Sequence, residues 1–318
     1  MKNLVVWALI LAGLGYGGSK FYLHTKVADT MDMAVLMMSP YADVEYDGVR
    51  STMTGELTIE GIRIRMHEFR DDIRIDRLGI DTSSFFSLLQ MTDYMSMQGS
   101  GVPDSFGFLM KGLRVPTDAD YFDEMFELTA AIRGSAKSDD AAAMCTGKYG
   151  FSPETLVELG YSEQVISMSM NVDNQGGRFS LNVKSDIEDM WDVDASLTLA
   201  GDLDSVMING ASYRPRLSDM TIDYTDRSLN ERIRKYCGRL GLSEAQTLKA
   251  QIDTFMFYGE TNGIEFDEYM MDPYAEFLEG KSGLVVTAKP NEPIAMSQID
   301  LYKASDVPAL LNLEARAY

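Results

Sequence analysis

Hydrophobic and polar positions alternate differently along successive parts of this chain, and each pattern predicts an element. From Leu4 to Gly18 there is no charged residue, and after Ser19 and Lys20 apolar character resumes at Phe21, Tyr22 and Leu23. A bilayer core needs about 20 helical residues, so Leu4–Leu23 spans one if Lys20 snorkels. Trp7, Tyr16 and Tyr22 suit its interfaces. Two other readings stay open, a cleaved signal peptide with its apolar region at Leu4–Leu14, and a buried core helix. The uncleaved anchor is preferred because no Ala-x-Ala follows the apolar stretch and no early Cys offers a lipid attachment site. Lys2 lies on one side of the stretch and Lys20 and Lys26 on the other. A short leader before a single apolar stretch exports the chain beyond it, so the N-terminus is expected in the cytoplasm.

Beyond residue 26 a helical pattern runs over Val27–Ser39 and stops at Pro40. The period then changes to two. Leu57 and Ile59 alternate with polar residues; Ile62, Ile64 and Met66 alternate in the opposite phase, with the slip at Glu60-Gly61. Ile73, Ile75, Leu78 and Ile80 repeat this, with a slip near Arg77-Leu78. These are half-buried strands whose second face carries Thr58, Arg63, Arg65, Arg74 and Asp76, and the Gly at the slip predicts a bulge or sharp bend. A short helix follows Thr82, a strand covers Phe106–Val115 and an amphipathic helix covers Tyr121–Ile132. Small polar residues at Gly134–Ala143 mark a division between halves.

The second half opens on Ser152-Pro153-Glu154, a cap with proline at the first helical position. Strands follow at 164–172, 178–187, 191–200 and 217–224. A helical block comes next. Leu229, Ile233, Cys237 and Leu240 share one helix face, Ser243 and Gln246 form a capping box, and Asp272-Pro273 is expected to start a third helix that Gly280 closes. Leu284–Ala288 and Asn312–Tyr318 read as last strands. The expected fold class is α+β: an N-terminal transmembrane helix, then curved antiparallel β-sheet units with packed helices. The divisions are 1–26 for the anchor, 27–140 for the first half and 141–318 for the second.

Charge narrows the function. The formal net charge is -21, and the first 26 residues contribute only lysines, so the body carries 25 basic against 49 acidic side chains. Such a surface repels phosphate backbones and anionic headgroups, which argues against nucleic acid and against a body lying flat on a membrane. With only His24 and His67, and with Cys145 and Cys237 lacking metal-ligand spacing, no metal or cofactor is expected. In an exported body these two cysteines are the minimum for one bridge; the alternative is two separate buried thiols. Asp71-Asp72 and Asp192-x-Asp194 read as solvated acids. The basic cluster Arg227, Arg232, Arg234, Lys235 and Arg239 reads as a solvated helix face paired with nearby acids, or as a docking site for an anionic partner.

Val44-Glu-Tyr-Asp-Gly, Gly55-Glu-Leu-Thr-Ile-Glu-Gly-Ile-Arg-Ile, Ile73-Arg-Ile-Asp-Arg-Leu and Ser87-Leu-Leu together resemble the opening unit of AsmA/TamB-like envelope proteins. Pro153-x-x-Leu156-x-x-Leu159-Gly160-Tyr161, the paired strands and Tyr224-Thr-Asp-Arg-Ser-Leu229 look like YdgA-like proteobacterial envelope proteins. The resemblance implies a periplasm-facing β-groove tied to lipid transport or envelope upkeep, and carries over no catalytic residues. The chain has too few strands for a conduit across the periplasm.

The expectation is therefore a non-enzymatic, inner-membrane-anchored protein holding lipid or another apolar ligand. Ile62, Ile64, Ile73 and Ile75 would line the groove in the first half, and Met168, Met170, Phe179 and Leu181 in the second. The 22 methionines suit varied apolar ligands. The alternative is a packed structural protein whose helical block docks an envelope partner.

Overall fold

In the computed structural model, the described residues are 20, 22–29, 31–69, 71–95, 102–120, 140–148, 150–209, 214–266, 268–299 and 301–318. The expected helix at Tyr121–Ile132 and most of the expected anchor lie outside them. The fold is mixed α+β, with antiparallel strand pairs and packed helices. Among the described residues no helix is long and apolar enough to cross a membrane.

The chain divides into two compact units, residues 1–111 and 112–318. In the first, the strand order is β1 (Ala42–Glu45), β3 (Leu57–Met66), β4 (Asp72–Thr82), β5 (Ser105–Pro116), with β2 (Gly48–Ser51) also on β3. Strand β5 crosses the division. β1 and β2 form one interrupted edge alongside β3, because Glu45↔Arg63 and Gly48↔Glu60 keep a single register. The interruption lies opposite Gly61, whose φ of +64° is a conformation that side chains disfavour. A Cβ there would sit 2.0 Å from Asp47 Oδ2, so only glycine fits. The expected slip is thus a backbone irregularity that both strands share. Leu57↔Ile80 and Ile59↔Leu78 lie on one side of it, Ile62↔Ile75 and Ile64↔Ile73 on the other, and the pairing stays in step.

Helix α1 (residues 22–29) places Leu23 and Val27, four apart on one face, against the Leu57 end of β3. Leu23 is fully buried with Leu57, Phe85 and Leu88. Leu23, the last residue of the expected span, is thus covered by protein side chains. Hydropathy registers that a residue avoids water, not whether lipid or protein covers it. Burial of such a leucine is worth about 1.5–3 kcal/mol. Helix α2 (residues 31–38) follows, and α3 (Phe85–Met95) supplies Phe85 and Leu88.

In the second unit the order is β5, β6 (Glu163–Asn174), β7 (Arg178–Ile187), β8 (Trp191–Ala200), β9 (Arg216–Asp226), β10 (Gly283–Ala288), β12 (Leu313–Ala317), with β11 (Ile294–Ala295) on β9. Short helices α4 (Ala141–Thr146) and α5 (Pro153–Glu158) precede β6, and α6 (Leu203–Asn209) lies between β8 and β9. The helical block is α7 (Leu229–Arg239), α8 (Glu244–Thr261) and α9 (Glu268–Gly280). Ser152 caps α5, and Ser243 with Gln246 forms a complete capping box on α8. Pro273 does not start α9. It sits inside that helix, where its missing N–H forgoes one backbone bond, so an Asp-Pro pair did not mark the boundary.

Candidate functional site

The four isoleucines of the first unit come together. Ile62 faces Ile75 and Ile64 faces Ile73 across β3 and β4, and Val44 flanks Ile64 from β1. Ile62 is buried and the other three are half-buried. The residues between them turn the other way: Arg65 Nε donates to Asp72 Oδ1 at 2.8 Å, and Arg63 lies opposite Arg74. A cleft of 420 Å3 lined by Val35, Val44, Tyr46, Asp47, Gly61 and Arg63, among others, opens between α2 and these strands. Tyr46 donates to Asp32 Oδ1 at its edge (3.0 Å).

The second unit carries a longer apolar face. Strand register assembles it as rungs, Val172–Leu181–Leu197–Met220–Ala288 and Met170–Val183–Ala195–Ile222–Val286–Ala315. A third runs Phe179–Leu199–Leu217–Ile294. A register shift at Thr198/Leu199 leaves Ser218 unpaired, and this extra residue keeps both Leu217 and Met220 on the apolar face. Phe179 is buried, Met170 and Leu181 are half-buried, and Met168 is 43% exposed. Val183 shares the face, as its alternation with Phe179 and Leu181 on β7 implies; Leu197, Met220 and Ile222 were not singled out from sequence, because only strand register brings them beside Met170 and Leu181. Asn174, next to Phe179 on the end rung, has its Oδ1 buried without a hydrogen-bond partner among the described residues.

Helices fill part of this face. Tyr224, Val286 and Ala317 pack under Leu248, Ile252, Tyr274 and Phe277, with the Tyr224 and Phe277 rings edge to face at 5.6 Å. Burial pushes the Tyr224 and Tyr274 hydroxyls far above the usual phenol range. Beside them, Ile187 and Trp191 pack against a cluster of Leu156, Leu159, Tyr161, Met190, Ile233 and Tyr236. Cys145 and Cys237 lie in that cluster, fully buried and joined as a disulfide that ties α4 to α7.

Part of the basic cluster is the expected exposed face paired with acids, Lys235 with Glu231 and Arg227 with Asp186 and Asp192, while Arg232 and Arg239 reach backbone carbonyls instead. Arg232 stacks on Tyr161 at 4.2 Å and donates to the Leu159 and Gly160 carbonyls at 3.1 and 2.9 Å. Arg239 donates to the Glu158 carbonyl at 2.6 Å. Together they satisfy the carbonyls left open at the end of α5. Arg234 reaches the Leu278 carbonyl near the end of α9, Lys235 pairs with Glu231, and Arg227 joins the acids of the sheet. Apart from Glu231, four residues before Lys235, the partners are far away in sequence, so no local pattern shows them.

Those acids sit on the polar face, where Asp186 lies opposite Asp192 and Asp194 opposite Asp223. Like charges so placed repel. Arg227 offsets this, with Nε 2.7 Å from Asp192 and Nη2 2.9 Å from Asp186. Lys184 pairs with Asp194 at 2.7 Å and Tyr318 donates to Asp223 at 2.7 Å. Partial burial, followed by the Asp192 charge and against the pull of Arg227, raises the Asp186 carboxyl above its ordinary range. Asp226 is raised by burial as well, although the Asn230 and Leu229 backbone N–H groups oppose the shift. Each of these carboxylates has a structural counter-group. Among the described residues no cluster of His, Cys, Asp or Glu is placed to hold a metal ion.

A family described only as "Uncharacterized protein" matches residues 165–318, the strands β6 to β12 with their helical block. No curated protein matches the chain.

Proposed function

We propose that this chain is a single-pass inner-membrane protein of envelope upkeep whose body faces the periplasm, and that it holds a lipid or another apolar ligand on the apolar face of β6–β9. The carrying observation is that face itself: Met168 is exposed, and Met170, Leu181, Val183, Leu197 and Ile222 are half-buried, while the opposite face is polar. Leaving such side chains in partial contact with water costs stability, and an acyl chain would remove that cost. The buried disulfide supports export, since cytosolic thiols are kept reduced. With Leu23 assigned to the body, Leu4–Phe21 is left for the bilayer, about 27 Å of helix. The resemblance to AsmA/TamB-like and YdgA-like envelope proteins points the same way.

A second reading, a structural protein docking an envelope partner without ligand, is favoured by the way Leu248, Tyr274 and Phe277 already fill the Tyr224–Val286 part of the face. Mass spectrometry of lipids retained by the full-length protein, together with uptake of a fluorescent fatty acid, separates the two. Met170→Asp and Leu181→Asp should abolish uptake while leaving the folded state in place. No uptake by the unmodified protein, or unfolding by both substitutions, would turn the assignment to the docking reading.

A further inference from the structure

Exposed apolar side chains gather where the chain enters the first unit. Leu23 is buried there, and His24 Nε2 lies 2.9 Å from Ser51 Oγ. The loop after Ser51 and the turn before α3 are held side by side. Thr82 Oγ1 donates to the Gly55 and Ser84 carbonyls, both at 2.9 Å, and the Thr82 N–H donates to Gly55 O at 3.1 Å. From this edge project Tyr22, Met53 and Phe86, which are 54%, 66% and 79% exposed. Phe86 is adjacent to Phe85, which packs with Leu23, so the exposed ring stands beside the point of entry.

The local charge is unlike that of the rest of the body. Ser51–Gly55 and Thr82–Thr92 contain no charged residue, in a protein of net charge -21. Lys20 and Lys26 lie on the incoming segment, and Lys26 Nζ sits 5.7 Å from the centre of the Tyr22 ring. These two segments themselves carry no acid and lie beside Lys20 and Lys26, while Asp29 on α1, Glu56 and Asp81 flank them.

Chain length fixes the distance to the bilayer. The proposed anchor ends at Phe21, and Leu23 is already inside the core. The one residue between them covers about 3 Å even fully extended. A headgroup layer is itself about 5–7 Å deep on each side of the hydrocarbon. This end of the body cannot then stand clear of the bilayer.

We propose that this edge is a membrane-contact surface, with Phe86 and Met53 seated at the headgroup–acyl boundary of a bilayer that contains anionic lipid, and with Tyr22 and Lys26 at its interface. The proposal rests on the anchor reading of residues 4–21. The exposed apolar residues Met33, Leu36, Met37 and Met38 on α2 and Tyr41 after it lie elsewhere: α2 lines a cleft together with Gly61 and Arg63 of β3, and Tyr41 O accepts from His67 N beyond Met66. The span from Leu57 to Met66 is about 30 Å of strand, so Met37 is at the far end from Leu23.

Full-length protein in phosphatidylethanolamine–phosphatidylglycerol vesicles tests this, with lipids brominated near the headgroup as contact quenchers of tryptophan. The native protein minus Trp7→Phe reports residue 7. Trp7→Phe carrying Phe86→Trp, Met53→Trp or Met37→Trp, minus Trp7→Phe alone, reports those positions, and Trp191 cancels throughout. Residues 7, 53 and 86 should each lose most of their emission, and residue 37 should keep it. Quenching at 7 without quenching at 53 and 86 overturns the contact surface and leaves the anchor standing. Equal quenching at 37 overturns it too. Absence of quenching at 7 removes the anchor, and the proposal with it.

Discussion

Replacing both Cys145 and Cys237 by alanine should lower the stability of the second unit substantially. The bridge closes a loop of 92 residues and joins α4, near the start of that unit, to α7. On the chain-entropy account a closure of this length restricts the unfolded chain by about 4–5 kcal/mol. Both sulfurs are fully buried among Leu156, Leu159, Ile233 and Tyr236, so their removal also leaves unfilled space and adds to the loss. Gly112–Tyr318 is a unit of 207 residues, and for that size each kcal/mol moves the melting temperature by about 2–4 °C. The expected drop is about 8–20 °C. Trp191 packs against the same cluster and reports its loss by fluorescence in detergent-solubilised full-length protein. Unmodified protein treated with reductant should melt close to the double variant. A drop below about 2 °C, or alkylation of both cysteines in denatured but unreduced native protein, would refute the argument.

Two further outcomes rest on local geometry. Gly61→Ala should destabilise the first unit by about 1–3 kcal/mol in urea unfolding, because the positive φ and the 2.0 Å approach to Asp47 both oppose a Cβ, whereas Gly176→Ala, with a positive φ but open space, should cost less. Asp226→Asn should gain stability relative to the native protein as pH rises. The folded carboxyl titrates above its ordinary value of 3.8 because of burial, so the folded state holds its proton longer than the unfolded state. Stability from this group is full below the unfolded value and is lost as pH rises through the folded one. Asparagine keeps an acceptor for the Asn230 N–H and has no proton to lose. An equal difference between the two proteins in urea midpoints at acid and neutral pH would refute it.

Local chemistry was legible in the sequence where a single turn or strand decides it. The caps at Ser152 and Ser243 and the apolar alternation of β3, β4, β6 and β7 depend on neighbours within a few residues, and the structure places each as its pattern implies. The phase slips at Glu60 and Arg77 were visible separately; that they fall at one level of the sheet, opposite the break between β1 and β2, depends on pairing. Pro273 misled because the rule for a first-turn proline reads two residues, while α9 already runs from Glu268. The roles of Arg232 and Arg239 were hidden for a different reason. Their partners are carbonyls more than 70 residues away, and a carbonyl has no side-chain signature. The candidate site divides along the same line. Met170, Leu181 and Val183 were readable from period two, but Leu197 and Ile222 join them only through the register of neighbouring strands.

The disulfide also bears on a question that the lysines leave almost balanced. Lys2 stands on one side of the apolar run and Lys20 and Lys26 on the other, so the positive-inside count alone does not favour export of the body. If the body faced the cytosol, Cys145 and Cys237 would be held as thiols, and the link between α4 and α7 would rest on packing alone. The cluster around them is small, and Arg232 and Arg239 from α7 clamp the end of α5 only while α7 is held in place. An exported body meets no such difficulty, since oxidation supplies the restraint. On the proposed topology, orientation and stability are coupled: the orientation that lets the bridge form is also the one in which the helical block keeps its seat on Trp191 and Ile187, beside the apolar face proposed for the ligand.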